Sequence, residues 1–179
     1  MGDTLITIIA IILAAVLMFV FPLMTMSDNT DDISRLSVES ATTDFVDDVR
    51  TTGRLTMDKY SKFVQTISAT GNTYDVEMEA KIKDENPGKK TTQVASSKIG
   101  EDVYYSMYTS QILDSIRPTS TATPTLALKE GDIFSTNVKN TNLTMSQQLK
   151  NFFYKVTGND SYTVAAEHAG MVTANGTAN

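Results

Sequence analysis

LITIIAIILAAVLMFVFPLM, residues Leu5 to Met24, is a run of 20 residues without a charged side chain. As an α-helix it is about 30 Å long, the thickness of a bilayer's hydrocarbon core. A soluble helix keeps a polar face, whereas this one is apolar on every side, so a transmembrane helix is expected. Only Met1, Gly2, Asp3 and Thr4 precede it, with no Lys or Arg, and the following FPLMTMSDN offers no pair of small residues for signal cleavage. The expected segment is therefore a retained anchor and not a removed secretory signal. The nearest basic residue is Arg35, amid Asp28, Asp31 and Asp32. A short cytoplasmic head and an exported acidic part give the expected topology. Pro22 lacks an N–H and is expected to kink or end the helix.

Working outward, Val38, Ala41, Phe45 and Val49 step by three and four, with Leu36 read as extending the stripe. This predicts an amphipathic helix over about 32–52, ended by Gly53, into which the transmembrane helix continues almost directly, broken by the SDNT stretch. Thr56 is the expected N-cap of a second helix, with Leu55 and Tyr60 at hydrophobic-staple positions and Gly71 after its end. From Thr73 to Lys83, apolar residues alternate with charged ones, which predicts a strand with one buried and one wet face. DENPG then reads as a turn, and residues 89–100 as a loop or weak edge strand.

EDVYYSMYTSQILDSIR carries two patterns. Tyr104, Tyr108, Ile112 and Ile116 fit a helix, and Val103, Tyr105 and Met107 fit a strand; length favours the helix. PTSTATPT reads as a linker. Glu130-Gly131-Asp132 is the expected turn into a strand over Ile133–Lys139. Met145, Leu149, Phe152, Phe153 and Val156 predict another helix, and SYTVAAEHAGMV a last strand. The expected organisation is an anchor over 1–27, an extracytoplasmic domain over 28–172 and a disordered tail over 173–179. The expected fold class is α+β, with a small, mainly antiparallel sheet carrying helices on one face.

The charge balance excludes some functions. The formal net charge is −6, and beyond Asp3 there are 15 basic and 20 acidic residues with no basic cluster. Nucleic acid is not an expected partner, because phosphate binding needs dense Lys and Arg. The chain has no cysteine, which removes disulfides, thiolate metal sites and cysteine nucleophiles.

Candidate chemistry is sparse. The one histidine, His168, lies in VAAEHAG without a nucleophile motif, so a structural or solvent-facing role is expected. Asp44, Asp47 and Asp48 share a helix face, and carboxylates are calcium-type ligands. A calcium loop is missing, however, and Arg50 and Arg54 are close, so the expectation is a solvated acidic face or an electrostatic contact with a partner. Asp28, Asp31 and Asp32 are read likewise, or as helix caps. Asn142, Asn159 and Asn175 begin glycosylation sequons, which matter only in a eukaryotic secretory pathway. Tyr60, Tyr74, Tyr104, Tyr105 and Tyr108 are read as core. No phosphate-loop, nucleophile-elbow or zinc-protease pattern occurs. The expectation is thus no enzyme, with no catalytic, cofactor-binding or metal-ligating residue.

An apolar N-terminal helix, an immediate amphipathic helix and a small α+β domain resemble the plan of pilins and pseudopilins. DTLITIIAIILAAVLMFVFPL, SATTDFVDDVRTTGRLT, YDVEMEAKIKDENPGKKT, LKEGDIFSTNVKN and NFFYKVTG are similar to the TadE-like minor pilins of tight-adherence pilus systems, in their Gram-positive form. That resemblance implies a bacterial membrane protein working with other pilin-like or pilus-assembly proteins. It also implies leader cleavage after a glycine, which would be Gly2, making Asp3 the first mature residue. The fifth would be Thr7, where the family usually has Glu. Both a filament subunit and an accessory membrane protein of the apparatus fit this pattern. Ala14, Ala15 and Thr7 are small residues that allow close helix approach. An anchored extracytoplasmic ligand-binding or sensory domain is the alternative expectation. A convergent polar pocket would favour that domain, and an exposed apolar stripe on a continuous first helix would favour assembly.

Overall fold

The computed structural model of the chain describes residues 2–84, 104–120, 122–144, 148 and 165–177. Its first element, α1, is one helix from Gly2 to Thr52, 51 residues in all, or about 76 Å at the helical rise per residue. The expected continuation of the membrane helix into the amphipathic one is present, but without a break at SDNT, and the helix does not end at Pro22. Proline removes one backbone hydrogen bond, and the polar residues around it do not compete for the rest. Thr25 Oγ1 donates to Phe21 O at 3.1 Å and Thr30 Oγ1 to Met26 O at 3.0 Å, while Asp31 Oδ2 accepts from Thr144 Oγ1 at 2.6 Å. With these side chains occupied, no N-cap forms and the helix runs on.

The C-terminal half of α1 docks on the domain. Ser34, Val38, Thr42, Phe45, Val46 and Val49 are buried. Thr42 tolerates burial because its hydroxyl donates to Val38 O at 2.7 Å. Leu36 does not extend this stripe, since it is 66% exposed. It lies nine residues before Phe45, which at 100° per residue places it on roughly the opposite side.

Gly53 ends α1 with φ +64° and donates its N–H to Val49 O at 2.8 Å. The strand β1, Arg54–Thr56, follows, then α2, Met57–Ser68, with Thr56 as the expected N-cap accepting from Lys59 N. β2 spans Tyr74–Lys83, within the predicted strand. β3 (Tyr104–Tyr108) leads directly into α3 (Thr109–Ile116). β4 is Thr125–Ala127, β5 Ile133–Asn140 and β6 Ala165–Met171.

The four-stranded sheet has the order β3-β2-β5-β6 and is antiparallel throughout. Its buried residues fall on one face: Met78 and Ala80, Phe134, Thr136 and Val138, and Ala166. α1 packs there against β5 and β6. Phe45 stacks on Phe63 of α2 at 4.4 Å and meets Phe134 edge-on at 5.9 Å, joining two helices and the sheet in one core. β1 and β4 form a separate antiparallel ribbon beside it.

The predicted helix over residues 101–117 is half strand. Ala80 pairs with Met107 and Ile82 with Tyr105, so cross-strand pairing takes Tyr104–Tyr108. The switch is made at Thr109, whose hydroxyl accepts from Met78 N at 2.7 Å and donates to Met78 O, while Gln111 Oε1 accepts from Tyr108 N. The core expectation fails for Tyr104, Tyr105 and Tyr108, which are exposed, whereas Tyr60 and Tyr74 are half-buried and pack against the core. The linker reading of PTSTATPT also fails in part, because its last residue opens β4. Residues 173–177, read as part of a disordered tail, are tied down. Thr173 N donates to Arg50 O, Gly176 N to Leu128 O, and Asn175 Oδ1 accepts from Glu130 N. The expected DENPG turn apart from Asp84 and residues 89–100 lie outside the described residues, as does the 145–156 helix apart from Gln148.

Candidate functional surface

Two features stand out from the core. The first is the N-terminal half of α1. It is long and apolar enough to cross a membrane, and none of its most apolar window is buried. Phe19, Met18 and Met26 are 70%, 77% and 71% exposed. Thr7 Oγ1 donates to Asp3 O at 2.8 Å, so this hydroxyl is satisfied inside the helix, as lipid requires. The apolar surface continues past the span: Ile33 and Leu36 are 68% and 66% exposed, roughly 180° around the helix from the buried stripe. Thr7 and Ala14 lie within about 40° of Leu36, and Ala15 falls in line with Ile33, by the same periodicity. One side of α1 thus holds the domain, and the other presents small residues within the apolar run and two large apolar residues above it.

The second feature is a groove of about 370 Å³ between α1 and α2, floored by Phe45 and Phe63 and edged by Asp44, Asp48, Lys59 and Lys62. Two of its charges, Lys59 and Asp48, partner each other. Lys59 Nζ lies 2.9 Å from Asp48 Oδ2 and donates to Thr52 Oγ1 and to Arg54 O.

The acidic triplet is split among partners. Asp47 Oδ1 accepts from Arg50 Nη1 at 2.6 Å, Asp48 pairs with Lys59, and Asp44 edges the groove. Among the described residues no group of three His, Cys, Asp or Glu is placed to hold a metal ion. Arg54, the other expected neutraliser, reaches Thr177 instead. Arg50 crosses Gly170, where any Cβ would collide with its guanidinium, and its Nε donates to Met171 O at 2.9 Å. His168 is half-buried on the sheet face toward α1, with Nε2 3.5 Å from Asp47 Oδ1 and no hydrogen bond. Aligned on β5 is Thr136. Among the described residues no hydroxyl is placed in a hydrogen bond with it.

The helix-capping reading of Asp31 is replaced by its bond to Thr144, since α1 has no N-terminus there. Asn142 Oδ1 accepts from Thr73 N and its Nδ2 donates to Asn72 Oδ1, so this sequon asparagine joins two loops. Asn175 Oδ1 is likewise engaged, and Asn159 lies outside the described residues. Reading the sequence missed Asp132, which is 2% exposed. Its Oδ1 accepts from Lys83 N at 2.8 Å and its Oδ2 from Lys129 N at 2.7 Å. An acid just after Glu-Gly in a turn was the available signal. No protein-family model, curated protein or solved structure matches this chain.

Proposed function

We propose that this chain is a membrane-anchored, extracytoplasmic, minor-pilin-like subunit that acts by assembly, in a pilus or secretion apparatus, and not by catalysis. The observation that carries this reading is α1, an unbroken helix from Gly2 to Thr52 with a docked face and an opposite face bearing Thr7, Ala14, Ala15, Ile33 and Leu36. A helix continuous from membrane to domain transmits the position of one to the other. Small residues let a neighbouring helix approach closely in lipid, where packing and not hydrophobicity drives association. Ile33 and Leu36 extend the same seam above the span. In this reading the N-terminus is cytoplasmic and the acidic domain lies outside. Its partners are the membrane and other pilin-like or pilus-assembly proteins, or a second copy. An anchored ligand-binding domain is the weaker reading, because the Lys59 and Asp48 charges at the α1–α2 groove neutralise each other.

The test is intact mass and N-terminal sequence of the protein extracted from membranes, with and without a prepilin peptidase. A start at Asp3 that depends on the peptidase is the outcome for a processed pilin-like subunit. A start at Met1 or Gly2 in both strains assigns it to the accessory membrane proteins of such an apparatus. A start beyond about residue 25, where a signal-type cut would fall, would overturn the anchor.

A further inference from the structure

The two loops at the lower end of the domain meet α1 where its apolar run stops. A cleft of about 430 Å³ there is lined by Leu23, Met26 and Thr30 of the helix and by Gly71, Asn72 and Leu143 of the loops. The loops form a built tip. Asn142 bridges Thr73 and Asn72, Thr141 N donates to Thr73 O at 2.9 Å, and Asn142 N donates to Asn140 Oδ1 at 2.9 Å. The tip is fastened to the helix by the hydrogen bond from Thr144 to Asp31. At its apex Leu143 is 56% exposed, although its neighbours Asn142 and Thr144 are held inward.

Composition matches this position. Residues 69–74, ATGNTY, and 140–144, NTNLT, carry no charge, in a chain that is 20% Asp, Glu, Lys and Arg. Uncharged polar backbone with one protruding leucine suits the interfacial layer of a bilayer, which is about 6 Å deep on each side of the hydrocarbon. The helix residues that line the cleft run from Leu23 to Ser34, a rise of about 16 Å, so the tip starts at that layer and extends above it.

We propose that the 70–72 and 141–144 loops form a lipid-contacting foot, with Leu143 seated in the headgroup region of the bilayer that α1 crosses. The partner is a zwitterionic lipid surface. Asp28, Asp31 and Asp32 lie at the same height and oppose anionic headgroups, and no Lys or Arg is present in either loop to attract them. The foot sets the domain's tilt by giving it a second point of contact beside the helix. This inference rests on the reading of α1 as a membrane anchor.

The absence of cysteine allows single labels on the full-length chain. Leu143→Cys, Val16→Cys and Glu130→Cys are labelled with a bimane fluorophore, reconstituted in phosphatidylcholine vesicles, and quenched by lipids carrying nitroxides at headgroup and acyl depths. Val16 marks the span, and exposed Glu130 marks the end of the domain near Gly53 and the C-terminus of α1. Thr141→Cys is a second foot position should the Leu143 variant fail to fold. The expected result is strong acyl-depth quenching at 16, headgroup-depth quenching at 143 several-fold above that at 130, and no acyl-depth quenching at 130. Quenching at 16 with 143 indistinguishable from 130 would overturn the foot and leave the anchor standing. No quenching at 16 would overturn both.

Discussion

A carboxylate withdrawn from water is costly unless its oxygens are filled. Asp132 fills both with backbone N–H groups, from Lys83 and Lys129, and so stitches the end of β2 to the turn before β5. Asp132→Ala is expected to lower stability by about 2–4 kcal/mol, since two charge-assisted bonds go and two part-buried N–H groups lose their partner. Asp132→Asn should recover part of it, and urea denaturation in detergent measures both. Tyr60 is the residue that adds a pH dependence. Burial, with the Asp75 carboxylate as the lesser cause, raises its phenol pKa above the ordinary tyrosine value. The folded protein therefore keeps the proton to higher pH than the unfolded chain does. The stability this gives is complete below about pH 10 and is lost as pH rises through the folded value. Thermal melts from pH 9 to 11 should show a falling midpoint that flattens in Tyr60→Phe.

Among the elements, α1 divides its sides by consequence. Phe45 stacks on Phe63 and meets Phe134, so Phe45→Ala is expected to cost about 3–5 kcal/mol. The pair Ile33→Ser and Leu36→Ser, on the opposite side, is expected to change stability by less than about 1 kcal/mol, as exposed positions do. The same pair should weaken association with pilin-like partners in pull-downs from solubilised membranes. These elements were unequally legible. β2 was readable because strict alternation from Thr73 to Lys83 has one physical cause, a face toward the core, and β5 because the Glu130-Gly131-Asp132 turn announces it. β3 and α3 share a stretch that carries both periods, and pairing of Ala80 with Met107 decided for strand where length had argued for helix. β1 and β4 are three residues each, too short for any period to show. The continuation of the membrane helix into the amphipathic one was legible, but not that it passes SDNT without a break: SDNT is a local breaker, whereas what occupies Asp31 is Thr144, 113 residues away. Leu36 was legible and misread: its spacing from Phe45 already placed it opposite the core. The groove between α1 and α2 had no sequence signature, because it arises from how two helices meet.

For the whole molecule, the proposal makes α1 both anchor and assembly surface, with the sheet serving as the body that holds its other face. The rigid connection matters, because a hinge at Pro22 or SDNT would decouple membrane packing from the domain. The most direct test places a photoreactive benzoylphenylalanine at Leu36 in cells that carry a tight-adherence-type apparatus, with Lys62 of α2 as the comparison position. The account predicts light-dependent adducts at Leu36, mapped by mass spectrometry to the N-terminal helix of a pilin-like protein or of a second copy, and markedly fewer from Lys62. Adducts equally abundant from both positions, or none at Leu36 while the protein is in the membrane, would contradict it.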